Sequence, residues 1–160
     1  MTQQDARFED GGDHPLNLGA LDAEDLQVVS TLAQDAIFPA SEMQWLAKER
    51  RFAVLLNRFR WEDKTAAERR KRSVERVQSL FVVDNVVSVA SQGVERGDAG
   101  TILSVLSVSF EAGEDADGAV ILTLAGDGAI RLKVEALEVT LKDVTRPYIA
   151  PSKSTPSHPA

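Results

Sequence analysis

Arg58 and Arg60, interleaved with Phe59 and Trp61, are the residues whose types and spacing best suit chemistry. Side chains alternate along an extended strand, so both guanidinium groups share one face and both rings take the other. Two planar guanidinium groups on one face can meet a carboxylate or phosphate through paired hydrogen bonds, which lysine cannot copy. The same geometry serves an internal pairing with Glu62, Glu135 or another acid that holds the sheet, and this is the stronger of the two readings. Nine residues beyond Arg60 begins the run Arg69-Arg70-Lys71-Arg72. Such a run could contact phosphate from a loop, although short basic runs more often keep a loop solvated. A stacking platform for single-stranded nucleic acid is disfavoured, because the rings and the guanidinium groups lie on opposite faces.

Acid–base chemistry is narrowed by what the chain lacks. Cysteine is absent, which excludes disulfides, thiolate nucleophiles and thiolate metal sites, and the only histidines are His14 and His158. The remaining acid–base candidates are the carboxylates of Asp35, Glu42, Glu62, Asp84, Glu135 and Glu138. A paired-carboxylate hydrolase or a magnesium site needs several of them to converge, and their spacing shows no convergence. Ser104, Ser107 and Ser109 lie on a strand without a Gly-x-Ser-x-Gly elbow, so a serine nucleophile is disfavoured. Gly113, Gly118, Gly126 and Gly128 suit turns, and no phosphate-cradling glycine loop is present. The sequence therefore assigns no catalytic residue, no metal ligand and no cofactor.

Charge is unevenly placed. The net charge is −7, but Lys48 to Arg76 holds eleven basic residues and five acidic ones. That stretch carries +6 and the rest of the chain −13, so a local basic patch sits on an acidic protein. The overall balance disfavours nucleic acid and anionic membrane, and leaves an acidic protein or a phosphorylated ligand as the partner class. No apolar run approaches the ~20 residues of a membrane span, and the acidic start does not resemble a signal peptide. A soluble, cytoplasmic protein is expected.

These residues need elements to hold them. Residues 1–15 are polar and acidic and residues 149–160 are rich in proline and serine, so both are expected to be disordered tails around one domain at 16–148. Asp22 suits a helix N-cap, with Asp25 three residues on and Leu21 and Leu26 spaced as a hydrophobic staple. Leu26, Val29, Leu32, Ala33 and Ala36 continue one apolar stripe, which predicts a helix over Ala23–Ala36 that ends before Pro39. Period-two patterns then predict strands at 43–47, 51–61, 79–83, 86–94, 102–110, 120–125, 130–134 and 137–141. Asp127-Gly128 signals a tight turn. The slip in alternation at Glu135 and Ala136 reads as a β-bulge.

Three segments resemble an uncharacterised bacterial family, domain-of-unknown-function family 2948. They are Ala20-Leu21-Asp22-Ala23-Glu24-Asp25-Leu26, the long run from Lys48 to Glu62, and Gly128-Ala129-Ile130-Arg131-Leu132-Lys133-Val134-Glu135. Ala47 departs from the pattern, which has proline there. The resemblance implies a small, soluble, stand-alone protein and carries no activity, cofactor or catalytic residue.

The expected fold is α+β: an antiparallel barrel or strongly curved sheet, of which a pleckstrin-homology-like barrel is one form, with one N-terminal helix. The expected function is a non-catalytic binding or adaptor domain. Arg58, Arg60, Arg69, Arg70, Lys71 and Arg72 are its candidate anion-binding residues. The alternative is an enzyme working through carboxylates, with or without a divalent metal.

Overall fold

The computed structural model describes residues 15–63, 74–95 and 100–149. Strand β1 (Asn17–Ala20) leads into helix α1 (Ala23–Ala33), followed by the short strands β2 (Ile37–Pro39) and β3 (Gln44–Leu46). The longer strands β4 (Arg51–Phe59), β5 (Arg76–Val83), β6 (Val86–Gln92) and β7 (Ile102–Ala112) come next. Strands β8 (Gly118–Leu124), β9 (Ala129–Val134) and β10 (Val139–Asp143) complete the sheet. Every pairing is antiparallel, in the order β1-β10-β5-β4-β2-β7-β8-β9-β6, with β3 also paired to β4. This is the expected helix-plus-antiparallel-sheet class. The sheet is not closed into the barrel, pleckstrin-homology-like or other, that was one expected form: its path begins at β1 and ends at β6.

The helix starts as its residues dictate. Asp22 is the N-cap, and its carboxylate accepts from the Asp25 N–H at 2.8 Å. Leu26, Val29, Ser30 and Ala33 form the buried stripe. The helix stops at Ala33, three residues short of its expected end, because Asp35 turns into the left-handed region at φ 67°. Aspartate tolerates that conformation better than most residues. The Asp35 N–H then donates to the Val105 carbonyl and the Val105 N–H to the Ala36 carbonyl, so the backbone enters the sheet as β2. Pro39 is the last residue of that strand, paired with Ile102.

The slip at Glu135 and Ala136 is not a bulge within one strand. Strand β9 pairs with β8 and β6, whereas β10 pairs with β1 and β5, so the chain changes neighbours there. Strands β5 and β6 change neighbours alongside, through Asp84 and Asn85, the latter at φ 62°. The two crossings are tied together: the Asp84 N–H donates to the Glu138 carbonyl and the Glu135 N–H to the Asn85 carbonyl, each at 2.9 Å. Register shifts occur instead between Val86 and Ser88 and between Val105 and Ser107. In the β8–β9 turn, the positive φ values fall at Gly126 and Asp127, one residue earlier than the Asp127-Gly128 signal.

One continuous core joins the helix to the sheet. Phe52, Val54 and Leu56 of β4 meet Phe81, Leu122, Ile130 and Leu132 within it. A separate small cluster of Phe59 and Val74, with Trp61 packed against it, lies at the end of β4. That end holds the candidate site.

Candidate functional site

The inward face of β4 reads Phe52, Val54, Leu56 and Arg58, all buried, so the pattern that builds the core delivers a cation to its edge. Arg58 is 0% exposed, and all five of its N–H donors are used. Nε donates to Ser79 Oγ at 2.9 Å, and Nη1 to the Phe59 carbonyl at 3.1 Å and Glu62 Oε1 at 2.9 Å. Nη2 donates to Glu62 Oε2 and to Asp143 Oδ1, both at 2.9 Å. Asp143 also accepts from the Ser79 hydroxyl at 2.6 Å and from the Leu16 N–H at 2.8 Å. Burial alone would push the Arg58 guanidinium below its usual range, but the carboxylates of Glu62 and Asp143 hold it above. A buried charge is tolerated when it is paired and hydrogen-bonded throughout, and Arg58 meets both conditions.

Arg60, just beyond β4, is 2% exposed. Its Nη1 reaches Glu75 in a short contact and Asp63 Oδ2 at 3.7 Å, and its Nε lies 4.0 Å from Glu62 Oε2. Its backbone joins the same partners: the Arg60 N–H donates to the Glu75 carbonyl, and the Asp63 N–H to the Arg60 carbonyl. Glu62 and Asp63 belong to a 3-10 turn at Trp61–Asp63. The Trp61 indole N–H donates to the Gln34 carbonyl at 2.8 Å, which ties this turn to the end of α1. The structure thus places Arg58 and Arg60 inside the protein, in the internal pairing weighed above. Their partner Glu62 was among the acids named; Asp143, Asp63 and Glu75 were not.

Arg69, Arg70, Lys71 and Arg72 lie outside the described residues. The chain reaches them from Asp63 and returns at Val74, the two points that Arg60 holds together through Asp63 and Glu75. The acids singled out in the sequence are spread over the fold. Asp84 pairs with Arg51 at 2.8 Å, Glu135 with Arg50 at 2.5 Å, and Glu138 accepts from Asn85 at 3.4 Å. The hydrogen bond and charge of Asp84 hold the Arg51 guanidinium above its usual range. Among the described residues, no group of three or more acidic, histidine or cysteine side chains is arranged to hold a metal ion. No helix there is long and apolar enough to cross a membrane.

Two features escaped sequence reasoning. The first is Arg76, opposite Phe59 in the β4–β5 register, whose guanidinium carbon lies 4.2 Å from the Phe59 ring centre. Burial holds its pKa below the usual range, with Tyr148 opposing. Arg76 Nε donates to Asn57 Oδ1 and Asn57 Nδ2 to the Tyr148 hydroxyl, at 2.8 and 2.9 Å. The second is a groove of about 320 Å³ on the outer face of the sheet beside this trio. Ile37, Pro39, Leu55 and Ile102 give it apolar walls, and Glu42, Asn57 and Gln78 supply polar groups. Strands β4 and β7 were legible in the sequence, but β2, which lies between them and completes the groove, was not foreseen.

No curated protein and no solved structure matches the chain. A family model described as protein of unknown function (DUF2948) matches residues 16–158, which includes Arg58, Arg60 and their partners and runs ten residues past the expected domain limit. The chain belongs to that family.

Proposed function

We propose that the protein is a non-catalytic binding or adaptor domain that meets an acidic or phosphorylated partner through its basic segment, residues 64–73. Arg69, Arg70, Lys71 and Arg72 are the contacting residues in this reading, and Arg58 and Arg60 position the segment from inside. The observation that carries it is the tethering of both of the segment's stems to buried arginines. Glu62 and Asp63 on one side and Glu75 on the other are drawn to Arg58 and Arg60. Fixing the ends of a loop removes part of the ordering cost that binding would otherwise carry. Five basic residues and one acid lie between those stems, on a chain that is acidic elsewhere. Such a patch steers an anionic partner to one place on the surface.

The test is fluorescence anisotropy with labelled hexaglutamate and a labelled phosphoserine peptide. Binding is expected to weaken as salt rises, and to vanish when Arg69, Arg70, Lys71 and Arg72 are all replaced by alanine, with Tm unmoved. Equal binding by that variant, or no binding of either probe at millimolar protein, would overturn the proposal.

A further inference from the structure

We infer that the outer-face groove is a binding site for a small organic cation, an apolar body carrying one ammonium group. Ile37 of β2 pairs with Asn57 of β4 and with Ser104 of β7, while Pro39 pairs with Ile102, so the apolar walls share one face of the sheet. Ile102 is 59% exposed and adds open apolar surface beside Ile37, Pro39 and Leu55. A volume of about 320 Å³ falls at the small end of ligand sites.

The polar groups decide the ligand's charge. No lysine, arginine or histidine lines the groove among the described residues, so an anion finds no positive charge there. Glu42 does line it, and its carboxylate makes no hydrogen bond or ion pair among the described residues. Asn57 is already committed at both ends of its amide, to Arg76 and Tyr148, which fixes that wall before any ligand arrives. The side-chain amide of Gln78 is unengaged among the described residues and offers a second acceptor. An ammonium group satisfies the Glu42 carboxylate with a charge-assisted hydrogen bond, while its apolar body covers Ile37, Leu55 and Ile102. A peptide strand is the poorer occupant. Strand β2 is paired along its length to β7 and at Ile37 to Asn57 of β4, which leaves little free backbone for an added ladder.

The experiment is an amide NMR titration of the whole chain with hexylammonium, with hexanol and hexanoate as matched probes. Hexylammonium is expected to give saturable shifts at Ile37, Leu55, Gln78 and Ile102, with hexanol weaker and hexanoate inert. Glu42→Gln, a change on the surface, should weaken hexylammonium roughly tenfold, the loss of one charge-assisted contact. Ile102→Ser should weaken hexylammonium and hexanol alike. Hexanoate binding as tightly as hexylammonium, an unchanged affinity in Glu42→Gln, or no saturable shift would overturn the inference. Tighter binding of N-acetyl-lysinamide than of hexylammonium would overturn it in favour of a protein side chain.

Discussion

Arg58 shows how a residue type common in recognition can be turned inward. Its guanidinium is enclosed by Glu62, Asp143, Ser79 and the Phe59 carbonyl, which join β4, the following turn, β5 and β10. Removing one partner of a buried ion pair leaves the other charge stranded, at a cost of about 3–5 kcal/mol. Arg58→Ala should therefore lose about that much stability in urea unfolding. Arg58→Lys should recover only part of it, because an ammonium cannot make five fixed hydrogen bonds. A loss below about 1 kcal/mol in Arg58→Ala would show that the network does not hold this end of the sheet. The arginine pair itself was legible in the sequence, since Arg58 continues the face of Phe52, Val54 and Leu56. Its second carboxylate partner was not: Asp143 lies 85 residues away, and only the β5–β10 register brings it beside Ser79.

At the scale of elements, period-two patterning located β3 to β10, most plainly in β4, β5, β8 and β9, where alternate residues are buried. It missed β1 and β2, of four and three residues, whose flanks carry no alternation to extend the signal. It also read the passage from β9 to β10 as a bulge, since a change of neighbour and a bulge both break alternation. The joint between α1 and β7 rests on a polar contact that patterning cannot reveal. Ser30, buried on the helix, accepts from the Val108 N–H at 2.8 Å, just past the register shift between Val105 and Ser107. Ser30→Ala would leave that buried N–H without an acceptor, a loss of about 1–3 kcal/mol. Hydrogen exchange should show it as faster exchange at Val108 and its neighbours. Unchanged protection at Val108 would mean that another acceptor replaces the hydroxyl.

Across the whole molecule, the two tethered stems and the groove lie near the same end of the β4–β5 pair. Phe59 faces Arg76 at the stems, and Asn57 faces Gln78 two residues away, at the groove. The two sites call for opposite charges: basic residues at 64–73 for an anion, Glu42 for a cation. One titration reads both. With unlabelled hexaglutamate added to isotopically labelled protein at low salt, saturable amide shifts are expected at Glu62, Asp63, Val74 and Glu75, the residues bracketing the basic segment. Ile37, Leu55 and Ile102 should stay still, and raising the salt should reverse the shifts. No saturable shift, or shifts confined to residues away from the two stems, would contradict the assignment of the basic segment as the binding element.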